Sequence, residues 1–462
     1  MIDNFINRKK ELMMLEERFR SNKPELLILY GRRRVGKTEL IKQFMKDKPH
    51  IYFLSDKTHE KEQLKEVSKK IGEFFNDKLL INRGFGSWID IFEYLNEKLK
   101  NRIIFVIDEF PFLMTANKAI SSIFQKGWDE YLQNTKIFLI LCGSSIAMME
   151  KGTLSYKSPL YGRRTGQWKL EPLNFYETEE FFPNYSMERT IEAFSILGGI
   201  PAYLKQFDDM KDIFYNIKEK ILRKDSFLYN EPEFVLREEL KEPKTYFSVL
   251  KNLSFGKNRL NEIATSLGME RNKVSMYLSV LENLNIIERI IPITEKHPHK
   301  SRKGLYFIKD NFFKFWFRFV FPNRGDIEEG NVESVLKNKI MPNFNQSVSL
   351  VFEDICTQII RRKPLFNIEK IGKWWYKDKE IDIVALNDNT KEILFCECKW
   401  QDKINAEKIL SELKEKSKFV DWNKDKKKEY FAIFAKSFKK KIGENNVFCF
   451  DLKDIENILV KH

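Results

Sequence analysis

Eight residues constrain this chain more than any others. Gly31-Arg32-Arg33-Arg34-Val35-Gly36-Lys37-Thr38 has the spacing G-x-x-x-x-G-K-[ST]. It follows a short apolar run, Leu26–Tyr30, and opens a helically spaced stretch, Thr38–Lys46. A buried strand that turns through such a loop into a helix makes a phosphate cradle. The glycines let successive backbone N–H groups face one point, and the helix adds its positive end. Lys37 is then placed to reach the β- and γ-phosphates, and Thr38 to hold Mg²⁺. ATP and Mg²⁺ are therefore the expected cofactors.

More apolar runs follow at His50–Leu54, Ile103–Ile107 and Ile137–Cys142, separated by helically spaced stretches such as Gln63–Phe75 and Trp88–Leu99. Short apolar runs alternating with helices predict a parallel sheet with crossover helices over about residues 1–180. Asp108 ends one run, where it can join the Mg²⁺ shell. Glu109 beside it can orient or deprotonate an attacking water. Ser144 and Ser145 end another run and can sense the γ-phosphate. Arg163 and Arg164 can steady transition-state charge, in cis or from a neighbouring copy, which admits a homo-oligomer. By spacing alone a serine-rich turn reads equally well, and two adjacent arginines are more often a surface pair.

The order Phe5-Ile6-Asn7-Arg8, Gly31–Thr38, Asp108-Glu109, Gly143–Ser145, Tyr161–Arg164 and Gly198-Gly199-Ile200-Pro201 resembles the archaeal ATPase family of P-loop NTPases, related to AAA+ and STAND proteins. The aromatic Phe307–Phe321 segment and the C-terminal part are also similar to this family, so the resemblance covers nearly the whole chain. It implies that Arg8 lies near the nucleotide. It also implies that Arg163 or Arg164 is an arginine finger, and that Pro201, on a helical lid, touches the adenine.

Beyond Pro183 the strand signal fades. The expected domains are an ATPase core (1–182), a helical lid (183–240), a winged helix (241–300), an aromatic connector (301–345) and a further α/β domain (346–462). Lys plus Arg is 81 against 67 Asp plus Glu, a net +14 that suits a polyanion partner. Five scattered cysteines with no C-x-x-C pair argue against a disulfide framework or zinc ribbon and for a reducing compartment. The most apolar stretch, Phe312–Phe321, is broken by Lys314 and Arg318, too short for a membrane span. The N-terminus lacks a long apolar core, so no signal peptide is read there. The expectation is a soluble, cytoplasmic protein with no membrane partner. The one low-complexity tract is Lys424–Lys428.

Leu260, Ile263, Ala264 and Leu267 give a short helix one apolar face. A turn at Gly268 leads to a second helix with Val274, Leu278, Leu281 and Leu284 as its stripe. This is helix-turn-helix spacing, with Asn285–Ile291 as a wing strand, and it resembles a winged helix. Arg271, Asn272, Lys273, Ser275 and Ser279 remain on the outer side, where base or phosphate contact is made. Residues 240–310 hold 13 Lys or Arg against 7 Asp or Glu, a net +6. DNA is the expected partner, although such modules also serve as docked regulatory elements.

Near the C-terminus, Glu380-Ile381-Asp382-Ile383 and Glu397-Cys398-Lys399-Trp400 alternate in character. Strict alternation puts Glu380 and Asp382 on one face, and Glu397 and Lys399 on one face with the cysteines opposite. If the strands are hairpin partners, Asp382, Glu397 and Lys399 converge. Asp382 and Glu397 can chelate a hard divalent ion, and Lys399 can offset developing charge. Asp382, fourteen residues, then Glu397-x-Lys399 resembles the PD-(D/E)xK nuclease core, with Glu353 matching that core's helix acid. Ile381 stands where that motif usually has Pro.

The fold class expected is α/β: a P-loop NTPase parallel sheet with helical lid, winged helix and a C-terminal restriction-endonuclease-like domain. The expected function is ATP binding and hydrolysis by a DNA-associated protein with a metal-dependent nuclease domain. The alternative is a nucleotide-gated DNA-binding regulator whose nuclease-like domain is inactive. A helicase-like motor is less favoured, because no further strand-tracking motif is visible.

Overall fold

The structure, a computed structural model, describes residues 5–240, 242–423 and 427–460. Residues 424–426 of the lysine tract lie outside the described residues. The chain divides into two compact units, Met1–Pro172 and Leu173–His462.

The first unit is built on five parallel strands: β1 (Glu25–Tyr30), β2 (His50–Leu54), β3 (Ile103–Asp108), β4 (Ile137–Gly143) and β5 (Gly166–Lys169), in the order β2-β3-β4-β1-β5. Every residue of β1, β3 and β4 is buried, as expected of central strands covered by helices on both faces. On one face Trp88, Phe92, Phe110 and Phe124 fill the core beneath helices Glu60–Phe75 and Trp88–Lys98. On the other, Phe44 of helix Lys37–Met45 packs 5.4 Å from Phe138. Helix Trp88–Lys98 starts with a capping box in which Ser87 and Asp90 bond each other's backbone amides. Strand β5 escapes a reading by apolar runs because Gly166-Gln167-Trp168-Lys169 is an edge strand with no residue fully buried.

In the second unit, helices Pro243–Ser254, Leu260–Leu267 and Arg271–Asn283 precede an antiparallel pair, β6 (Ile287–Ile290) and β7 (Leu305–Ile308). Val274, Leu278, Leu281 and Leu284 are buried; Arg271, Asn272, Lys273, Ser275 and Ser279 are exposed. The expected aromatic connector is instead strand β7 followed by helices Asn311–Phe315 and Trp316–Val320. Phe312, Phe313, Phe315, Trp316, Phe317 and Phe319 are all buried, and Lys314 and Arg318 alone among residues 312–320 are half-exposed, a polar stripe too narrow to show a helical period. The Trp316 indole N–H donates to the Tyr229 carbonyl at 2.6 Å.

The last sheet comprises β8 (Lys370–Tyr376), β9 (Lys379–Asn387), β10 (Glu392–Lys399), β12 (Lys428–Ala435) and β14 (Val447–Phe450), in the order β14-β12-β10-β9-β8. A small parallel pair, β11 (Ile404–Asn405) and β13 (Phe438–Lys440), lies apart from it. β8, β9 and β10 are antiparallel neighbours, while β10, β12 and β14 run parallel. Among the described residues, no helix is long and apolar enough to cross a membrane.

Candidate functional site

The nucleotide loop begins where β1 ends. A Cβ on Gly31 would lie 2.3 Å from the Leu170 carbonyl oxygen, so no larger residue fits. Gly36 has φ 95°, a conformation glycine adopts without steric cost. Lys37 then starts the helix, and its Nζ donates to the carbonyls of Gly31 (2.9 Å) and Arg32 (3.1 Å). Burial draws this ammonium below the ordinary lysine range, with Cys142, Glu109 and Asp108 opposing. Val35 is buried; Arg32, Arg33 and Arg34 are half-buried along the loop. Arg8 braces the loop from outside, its Nη2 donating to the carbonyls of Val35 (2.9 Å) and Glu171 (2.7 Å).

The side chains beyond the loop meet at Asp108. Thr38 Oγ1 donates to Asp108 Oδ2 at 2.9 Å, and the Tyr52 hydroxyl donates to the same oxygen at 2.8 Å. The Glu109 amide donates to Oδ1 at 3.0 Å. A hydroxyl and a carboxylate so placed are the hard oxygen donors that suit Mg²⁺. Glu109, at φ 54°, accepts from the Ser144 amide (3.2 Å) and hydroxyl (2.8 Å) at Oε2. The two arginines differ. Arg163 is engaged with both carboxylate oxygens of Asp129, at 2.9 and 3.1 Å. Arg164 stacks over the Tyr161 ring, 4.5 Å from its centroid. Pro201 begins the short helix Pro201–Leu204 of the second unit.

A second cluster forms on β9 and β10. The pairing of β8 with β9 shifts between Gly372 and Trp374: Trp374 faces Ile381, yet Gly372 faces Val384. This extra residue breaks the alternation expected of β9. Ile381 and Val384, not Ile381 and Ile383, enter the same core cluster. Asp382 at the bulge accepts from the Cys398 amide at 2.8 Å. Lys399 Nζ lies 2.6 Å from Glu397 Oε2 and 3.7 Å from Asp382 Oδ2. Glu353, on helix Met341–Arg362, pairs with Lys373 of β8. Lys416, on helix Ala406–Ser417, donates to Glu397 Oε1 at 2.7 Å. Burial pushes the Asp382 carboxyl up to about 8, with Cys398, Glu353 and Glu397 adding and Lys399 opposing. Burial also raises Glu353, against the pull of Lys373. Among the described residues no group of three or more His, Cys, Asp or Glu is gathered for a metal ion. Lysines, not further carboxylates, complete this cluster.

A family described as an ATPase domain predominantly from Archaea matches residues 5–207, and a family described as archaeal and bacterial proteins of unknown function matches residues 316–410. An uncharacterised protein of Methanocaldococcus jannaschii is 39% identical over 458 residues, 97% of this chain and 99% of its own length. The chain belongs to this archaeal ATPase family. A second uncharacterised protein of that organism is 39% identical over 85 residues, 18% of the archaeal ATPase described here and 82% of its own chain. The solved Walker-type ATPase of Pyrococcus abyssi superimposes with a TM-score of 0.51 at 22% identity, covering 69% of this chain and 97% of that one. That likeness concerns the fold.

Residues 5–207 of the archaeal ATPase, which take in the described first unit and the start of the second, thus carry an ATPase domain. The structure adds three residues the sequence did not single out, among them Lys373 of β8, the partner of Glu353. Lys416 has no motif around it, and its place beside Glu397 depends on how helix Ala406–Ser417 packs. Tyr52 sits in an apolar run and reads as core, yet its hydroxyl positions Asp108; burial and Asp108 together hold that phenol protonated far above its usual range. Tyr52→Phe is expected to raise the Mg²⁺ concentration for half-maximal ATP turnover by about tenfold, the worth of one bond to a charged group. The maximal rate should change little. A Mg²⁺ titration of turnover checks this; an unchanged midpoint would make Tyr52 a core residue only.

Proposed function

We propose that this archaeal ATPase couples ATP hydrolysis to nucleic-acid processing, with Asp382, Glu397 and Lys399 as a PD-(D/E)xK-type nuclease centre. The observation that carries the reading is the meeting of these three side chains on antiparallel neighbours, with Glu353 on the adjoining helix. A divalent metal ion held by Asp382 and Glu397 would supply an activated water and a polarised phosphate. Lys399 would offset charge as it develops. In the first unit, Lys37 and the loop amides hold the phosphates, Thr38 and Asp108 hold Mg²⁺, and Glu109 orients the water, released from Ser144 for that task. Arg164 is the better finger, because Arg163 is held by Asp129.

The test is nicking of supercoiled plasmid by the full chain, with and without ATP, in Mg²⁺, Mn²⁺ or Ca²⁺. Mg²⁺ or Mn²⁺ should support cutting. Ca²⁺, larger and looser in geometry, should not. The charge balance of the cluster favours a second reading, because Glu353, Asp382 and Glu397 face Lys373, Lys399 and Lys416. Such a centre could serve a nucleotide-gated regulator that binds without cutting, and absence of nicking in every arm would select it.

We also read residues 241–300 as a winged helix that contacts duplex DNA. The exposed row Arg271, Asn272, Lys273 and Ser275 supports this. Replacing Arg271 and Lys273 together by Gln is expected to weaken duplex binding and flatten its logarithmic salt slope by about one to two units, one for each phosphate no longer neutralised. Anisotropy across a salt series measures both; an unaltered slope would mean that this helix does not face the DNA backbone.

A further inference from the structure

Two cavities in the second unit, of about 190 and 500 Å³, share Ser254, Gly256 and Arg318 in their walls and so form one groove. On one side stand the end of helix Pro243–Ser254 and the β6–β7 pair; on the other stands helix Met341–Arg362. At its inner end lies Lys373, the partner of Glu353. The Ile293 amide donates to the Lys373 carbonyl at 2.9 Å, so the segment after β6 is joined to β8 there. The groove therefore leads to the carboxylate–lysine cluster.

Its chemistry is mixed in a specific way. Phe255 lies at the mouth with 58% of its surface exposed, Phe319 is buried in the wall of the same outer part, and half-buried Phe307 lies further along. Lys314 and Arg318 are one helical turn apart, Lys339 is on the rim, and Lys373 closes the inner end. Two acids, Glu288 and Asp354, face these four cations. Burial raises the Glu288 carboxyl, with Asp354 adding and Lys309, Lys314 and Lys373 opposing. Amides of Asn343 and Gln346 line the outer part, and Gln346 holds the Arg318 guanidinium at 2.8 Å. Rings flanked by cations suit a strand that carries a phosphate at every step and offers a bare π-face at each base. In a duplex those faces are stacked on one another, so the rings would have nothing to cover.

We infer that this groove binds single-stranded nucleic acid, with Phe255 stacking on a base and Lys314, Arg318 and Lys339 holding phosphates, and delivers it to the Asp382–Glu397 cluster. The inference rests on the nucleic-acid reading proposed above and names the form of substrate. It predicts that an unpaired strand, not a duplex, reaches the carboxylates.

The experiment uses the full chain and short fluorescent oligothymidylate and oligouridylate, read by anisotropy, with a duplex of equal length measured separately. Phe255 and Lys339 are exposed, so the double variant Phe255→Ala with Lys339→Gln should keep the fold, checked by an unchanged melting temperature. Its affinity for whichever single strand the wild type binds should fall about tenfold or more, the loss expected for one stacked base and one phosphate contact. The Arg271→Gln, Lys273→Gln variant should bind that single strand within about twofold of wild type while losing duplex. Wild type that binds the single strand but no duplex would sink the winged-helix reading and support the groove. Wild type that binds neither oligonucleotide, or a groove variant that binds as tightly as wild type, would overturn the inference.

Discussion

Lys37→Ala is expected to lower ATP affinity by more than about 100-fold and abolish turnover with it. Lys37 is the buried loop cation whose ammonium lies among the loop carbonyls, and charge-assisted bonds of this kind are worth roughly 1.5–3 kcal/mol each. Its Nζ already points among the loop carbonyls of Gly31 and Arg32, so little reorganisation separates its present position from a phosphate. Glu109→Gln should behave differently. Shape is kept and the base is lost, so ATP should bind with near-normal affinity while hydrolysis slows by about 100- to 10,000-fold. Calorimetry for binding and phosphate release for turnover distinguish the two variants. Normal turnover by Glu109→Gln would place the water-orienting group elsewhere.

If the proposed centre cuts, Asp382→Ala is expected to remove metal-dependent nicking altogether, because it deletes one of the two oxygen ligands proposed for the metal and leaves Lys399 to close on Glu397. The pH dependence gives this residue a second readout that does not require cutting. With its carboxyl pushed up to about 8, the folded protein binds more protons here than the unfolded chain, whose Asp titrates near ~3.9. Stability contributed by the neutral form is therefore present at low pH and is lost as pH rises through the folded value. Asp382→Asn mimics the neutral form. Its gain in melting temperature should grow between about pH 4 and about pH 8 and level off above, reaching roughly a few degrees. A gain independent of pH would show that Asp382 ionises freely in the fold.

Much of the first unit is legible in the sequence for a simple reason. Its central strands are apolar on both faces, so β1, β3 and β4 stand out as unbroken runs, and the loop after β1 has a spacing that few other structures require. What escapes is carried by packing. Arg163 and Arg164 are adjacent and chemically alike, and only the position of Asp129 separates them. Phe312–Phe321 shows little period because all of it but the narrow stripe of Lys314 and Arg318 and the end at Phe321 is buried. In the last sheet the right residues can be picked by alternation, but alternation also assigns Ile383 to the wrong core, since a bulge is a property of the pairing and not of one strand read alone. Lys373 and Lys416 bracket the carboxylates from β8 and from a helix, and neither has a local signal.

The bulge opposite Gly372 and Trp374 makes the cluster sensitive to length more than to composition. Register in a sheet has period two, so a single added residue exchanges inside for outside along everything beyond it. Asp382 stands at that exchange. Conservative replacements of Ile381, Ile383 or Val384 leave the count unchanged and keep the carboxylate beside Lys399. Deletion of Ile383 would restore a regular ladder with β8 and put Asp382 in its place against β10, turning the acid away and leaving a sound sheet without its chemistry. A lineage could thus silence this centre in a single step, with every one of its charged residues still present in the sequence.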